Sequence, residues 1–72
     1  MVINEVLNEI RSILKESNID PREARLLLAY SMEISPNDLI KYICCTEDEY
    51  KRCIEYVNRR KNGEPFAYIA RI

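Results

Sequence analysis

The chain has 72 residues, 47% apolar and 32% charged, with a net charge of −1 at pH 7. That length holds one domain with a small core, and that balance excludes a disordered chain. Near-neutral charge with both signs interspersed gives no general attraction to nucleic acid or anionic lipid, and no apolar run approaches the ~20 residues that cross a bilayer.

The opening stretch, MVINEVLNEIRSILK, carries acids inside an amphipathic pattern. It lacks a basic leader and an uninterrupted apolar segment, so no signal peptide is expected. Val2/Ile3, Val6, Leu7, Ile10, Ile13 and Leu14 recur at three- and four-residue steps, which predicts a helix over residues 2–17. Ser17-Asn18 breaks it. Asp20-Pro21-Arg22-Glu23 then restarts the chain, with Asp20 as cap, Pro21 in the first turn and Glu23 placed to reach back as in a capping box. A second helix is predicted over 21–33. It has Ala24, Leu27, Leu28 and Ser31 on one side, and Leu26 and Tyr30 broaden the apolar face.

Ser35-Pro36-Asn37-Asp38 repeats the device and opens a short helix over 36–44, with Leu39, Ile40 and Ile43 apolar. Thr46-Glu47-Asp48-Glu49 is a third start signal. From it runs the longest predicted helix, 47–62, with Tyr50, Cys53, Ile54 and Val57 inward. Arg59, Arg60 and Lys61 complement the dipole of its last turn, and Gly63 is the expected stop. Glu64-Pro65 begins a last short helix over 65–70, a stretch that could also enter a β-hairpin. The reading is all-α: a bundle of four helices plus a short fifth C-terminal helix, forming one domain over 1–72. Its stability should be roughly 3–5 kcal/mol.

Candidate chemistry is sparse. The absence of histidine removes the commonest general base and metal ligand. Cys44 and Cys45 are adjacent and Cys53 is distant, which fails the paired spacing of structural zinc and reads as reduced thiols. Glu23, Asp38 and Glu47-Asp48-Glu49 all lie in helix first turns, where negative charge is favoured anyway. Gly63 stands alone, so there is no phosphate cradle. The tyrosines fit core edges with their hydroxyls in water. No catalytic, cofactor-binding or metal-ligating residue is expected. One alternative follows the spacing of a DNA-binding helix-turn-helix: Ala29, Glu33-Ile34-Ser35 and Leu39. Its second helix would offer Lys41 and Asn37 beside a repelling Asp38, too few cations along one face for phosphate neutralisation.

Two motifs carry a family resemblance. Early stands Pro21-Arg22-Glu23-Ala24-Arg25-Leu26-Leu27-Leu28. Late stands Arg59-Arg60-x-x-Gly63-Glu64-Pro65-x-Ala67-Tyr68-Ile69, the more specific of the two. With the helices around them they resemble the N-terminal domain of the release-factor glutamine methyltransferases, the PrmC/HemK family, over nearly the whole chain. One departure concerns the hinge: such proteins usually continue with Thr-Gly where this chain has Ala70-Arg71.

The resemblance implies a substrate-recognition domain, with no catalytic role for this chain alone. The catalytic methyltransferase domain would lie outside it on the same polypeptide, bind S-adenosylmethionine and carry Asn-Pro-Pro-Tyr. The implied partner is a peptide-chain release factor, methylated on the glutamine of its Gly-Gly-Gln loop. The implied setting is cytoplasmic, without DNA or membrane, and some relatives are fused to a tRNA guanine methyltransferase. Arg59, Arg60, Gly63, Glu64, Pro65, Phe66, Tyr68 and Ile69 are the expected junction or partner-facing residues. The competing class is a free-standing helical adaptor that self-associates through the apolar C-terminal stretch.

Overall fold

The stripe of the first segment folds as α1 (Ile3–Glu16), burying Ile3, Val6, Leu7, Ile10 and Leu14. In the computed structural model, which describes residues 1–70, it is followed by α2 (Glu23–Ser31), a 3-10 helix (Pro36–Lys41), α3 (Glu47–Lys61) and α4 (Phe66–Ala70). Helix α2 is the centre of the fold. It packs against α3, α1 and the 3-10 helix, while α1 also meets α3 and α4 rests on α3. Ile10, Leu14, Leu27, Leu28, Cys53 and Val57 are fully buried between these helices. The buried Ser31 hydroxyl donates to the Leu28 carbonyl at 2.6 Å, so it costs no unpaired polar group.

The all-α expectation holds, with local differences. The third helix, expected over 36–44, is 3-10 and stops at Lys41. Tyr42 turns extended at φ −115, ψ 140. The strand-like piece that follows pairs with the chain's start, through an isolated antiparallel bridge between Val2 and Cys44. Ile3 N–H donates to Ile43 O at 2.8 Å, and Cys45 N–H donates to Met1 O at 2.8 Å. These bonds satisfy backbone groups that a longer helix would otherwise use. They also cap α1, whose N-cap Val2 has no side-chain acceptor.

The second start signal works differently from its sequence reading. Asp20 accepts from Arg22 N–H at 2.9 Å, but α2 begins only at Glu23, and Glu23 does not reach back. Its carboxylate is taken by Arg60 of α3. The third signal is a complete capping box: Glu49 N–H donates to Thr46 Oγ1 at 3.1 Å, and Thr46 N–H donates to Glu49 Oε1 at 2.7 Å. Along α3, Cys53 and Val57 are buried as expected, whereas Ile54 is only half-buried. Tyr50 is half-buried, and its hydroxyl donates to Glu9 at 2.6 Å rather than facing water alone.

All three long helices end in the same left-handed stop. Asn18 (φ 60), Glu33 (φ 60) and Gly63 (φ 96) take the left-handed position. In each case the next residue's N–H reaches back across the stop, Ile19 to Leu14 O, Ile34 to Ala29 O and Glu64 to Arg59 O, at 2.9, 3.0 and 3.2 Å. This is the Schellman arrangement, in which a contact across the bond usually completes the stop. Ile19 and Ile34 supply apolar versions, packing against the core.

Glu33 is the unfavourable case, because a side chain in this conformation costs about 1–2 kcal/mol. Glu33→Gly should therefore stabilise the chain by up to about 1 kcal/mol, after the glycine's extra unfolded-state entropy is counted. A Cβ at Gly63 would meet nothing within 4 Å, so Gly63→Ala should cost about 1 kcal/mol from backbone conformation alone. Urea denaturation of both variants checks the pair. Equal shifts of the same sign would contradict the stop geometry.

Candidate functional site

The segment after α3 is built from its end backwards. Glu64 follows the Gly63 stop, and its carboxylate receives Arg59 Nε at 2.7 Å and a second nitrogen at 3.4 Å. Arg59 and Glu64 are the two residues whose backbones close the Schellman bond, so the ion pair stands where an apolar contact usually lies. The Arg59 guanidinium holds the Glu64 carboxyl below the usual carboxylate range. Glu64 thus contributes stability above its unfolded pKa of about 4.3, and that contribution is lost as pH falls through its lower folded value. Glu64→Gln should flatten the acid side of the stability profile below about pH 4.3, as read by thermal melts across pH. An unchanged profile would remove the pair from the fold's account.

Arg60 points the other way along the bundle. Its Nε donates to Glu23 Oε1 at 2.7 Å and a second nitrogen donates to Oε2 at 3.3 Å, tying the end of α3 to the start of α2. Both side chains are largely covered, at 26% and 20% exposed, and the geometry is bidentate. Pro65 starts the final turn, with its carbonyl accepting from Tyr68 N–H at 3.0 Å. Phe66 then packs edge-on against Tyr30 of α2, with ring centroids 5.3 Å apart, and Ile69 is 3% exposed.

The eight sequence-selected residues therefore come together as one exit corner, with divided roles. Arg59, Arg60 and Glu64 are held in ion pairs within the domain. Phe66 and Ile69 face its own core, and Tyr68, 72% exposed, is the large apolar side chain of this corner left outward. Arg71, half of the departure from the family pattern, lies outside the described residues. Sequence reasoning missed Glu23 and Tyr30 as members of this corner. Glu23 had a satisfying local explanation as a cap, and Tyr30 had one as a face-broadening residue.

A second surface lies elsewhere. Arg11, Arg22 and Arg25 line an open groove with Leu26 and Pro36. Arg25 also lines the adjoining groove, where Val2, Leu39, Ile40, Tyr42 and Ile43 stand. Ile40 is 89% and Ile43 80% exposed, so the apolar residues expected on the short helix divide: Leu39 enters the core and the isoleucines do not. Among the described residues no group of acids and cysteines is placed to hold a metal ion, and no helix is long and apolar enough to cross a membrane.

The family model described as the PrmC N-terminal domain matches residues 5–70. No curated protein and no solved structure matches the chain. The match runs from Glu5 in the first turn of α1 to Ala70, the last residue of α4, and it contains the whole exit corner. The chain belongs to the PrmC N-terminal domain family.

Proposed function

We propose that this domain engages a peptide-chain release factor while a methyltransferase domain of the same polypeptide modifies the glutamine of the factor's Gly-Gly-Gln loop. The observation that carries this reading is family membership across residues 5–70. The physical logic is that one glutamine on a loop offers little area to grip. A tethered second contact raises the effective concentration of the substrate and discriminates a folded release factor from a stray loop.

The exit corner suits a module that must hold a fixed orientation. The paired Arg59–Glu64 and Arg60–Glu23 and the inward Phe66 and Ile69 bind the last turn to the bundle, and Tyr68 is left for whatever lies beyond. Neither arginine-bearing groove suits S-adenosylmethionine, the methyl donor of the proposed parent enzyme. The one glycine is an exposed helix stop, and neither arginine-bearing groove is lined by an acid that could hold ribose hydroxyls. The proposal places methyl transfer on the other domain. The free thiols fit the cytoplasm, where release factors act.

The adaptor alternative relied on an exposed apolar C-terminal stretch, and Phe66 and Ile69 are turned inward. For the DNA alternative, the one cation of the motif's second helix, Lys41, pairs with Asp38 at 3.2 Å.

The test is a calorimetric titration of the chain with a purified release factor at several salt concentrations. Saturable binding is the expected result. Absence of any contact between this domain and the factor, here and in cross-linking of the intact enzyme's complex, would leave the domain only a scaffolding role.

A further inference from the structure

We infer that the release factor is met by the continuous surface formed by Ile40 and Ile43 on one side of Arg25 and by Arg11 and Arg22 on the other, and that it presents there an acidic protein segment with an apolar residue at one end. This rests on the release-factor reading above and goes on to name the surface and the chemistry it recognises.

The first argument is apolar exposure. Ile40 and Ile43 stand almost fully in water, with Tyr42 at 46% and Val2 at 41% beside them. Single exposed apolar residues need no explanation, but four lining one groove form a patch of the kind that marks interaction surfaces. The backbone also holds them there. The 3-10 helix that carries Ile40 ends at Lys41, and the Ile43 backbone is held by Ile3 N–H, which donates to its carbonyl at 2.8 Å.

The second argument is charge. The chain is net negative, yet the two grooves that share Arg25 are lined by three arginines and no acid. Arg22 is partly spent on Asp20 at 2.8 Å. Among the described residues, Arg11 and Arg25 donate only to neutral oxygens, of Asn8 at 3.4 Å and of Pro36 at 3.1 Å. Guanidinium groups with donors to spare match carboxylates in bidentate fashion. An apolar half beside a basic half selects a protein. A nucleic acid would use the arginines but leave the isoleucines in water, since its contacts are phosphate charge and base stacking on aromatic rings.

The experiment repeats the titration of this chain with the release factor using two variants, Ile40→Asp combined with Ile43→Asp, and Arg11→Glu. All three positions are exposed, and thermal melts verify that the fold survives. The apolar double variant is expected to raise Kd about tenfold or more. Arg11→Glu should raise it several-fold and flatten its salt dependence, the mark of a lost steering charge. Should a variant fail to fold, amide shift mapping on the unaltered chain decides. Perturbations centred on residues 25 and 39–43 support the surface, and perturbations confined to α3 and α4 overturn it.

If the unaltered chain binds and both variants bind equally well, this surface is wrong while the release-factor reading stands. If the unaltered chain does not bind and cross-linking of the intact enzyme's complex shows no contact with this domain, the reading fails and this inference with it. Self-association that the isoleucine variant abolishes, or RNA binding that Arg11→Glu abolishes, would also overturn it, by assigning the surface to another occupant.

Discussion

Leu27→Ala is expected to leave the chain largely unfolded at room temperature. Leu27 is fully buried on α2, the helix that touches α1, α3 and the 3-10 helix at once. Truncating a leucine in such a site costs about 2.7–5 kcal/mol, from lost transfer energy and the cavity left behind. A domain of this size has roughly 3–5 kcal/mol in total. The loss and the reserve are the same size, so the folded population collapses rather than thinning. Helical circular dichroism and urea unfolding read the result. Leu27→Met, which keeps the volume, should lose less than about 1.5 kcal/mol. If the alanine variant unfolds cooperatively within about 1 kcal/mol of the parent, α2 is not the centre of the core and the packing described here is wrong.

The second large effect concerns thiol chemistry. Cys53 is fully buried, and that burial pushes its thiol up to about 12. An ordinary thiol ionises near 8.5, so the reactive thiolate of Cys53 at pH 8 is depleted on the order of a thousandfold before access is considered. Cys44 is exposed. In pulse labelling by a disulfide reagent, followed by mass spectrometry, Cys44 should react at once. Cys53 should react only through unfolding, at a rate that tracks added urea.

The same shift has a pH consequence with a definite sign. In the folded chain Cys53 keeps its proton at a pH where the unfolded chain has lost it. Its contribution is complete below about pH 8.5 and is lost as pH rises toward 12, at a slope of up to about 1.4 kcal/mol per pH unit. Labelling of Cys53 as fast as Cys44 in the native chain would place it outside the core.

Much of the fold was legible because the signals involved are short. The Thr46–Glu49 capping box, the Ser35 cap and the Gly63 stop each depend on residues within five positions of one another, and each stands in the structure where the sequence put it. The stripe of α1 and the buried Leu27–Leu28 pair follow from helical period alone. The exit motif was legible as a pattern. Its division into inward Phe66 and Ile69 and outward Tyr68 was not, because a five-residue helix has no period long enough to show a face. Glu23 misled for a related reason. A glutamate three residues after a capping residue satisfies the local rule whether or not a closer arginine arrives from elsewhere.

Sequence by itself determined which segments are helical, where most of them start and stop, and to which family the pattern is similar. Tertiary structure alone decided the pairings across the chain. Arg60 meets Glu23 across 37 positions, and Arg52 donates to the Ser31 carbonyl at 2.7 Å, capping an α2 whose own last turn holds no basic residue. Likewise the start of α1 is capped by Ile43, and the isoleucines at 40 and 43 stay in water while Leu39 is covered. The reason is physical. Backbone propensity and capping are set by neighbours along the chain, whereas the partner of a charge or the cover over an apolar side chain depends on which distant segment is brought beside it, and no local pattern encodes that.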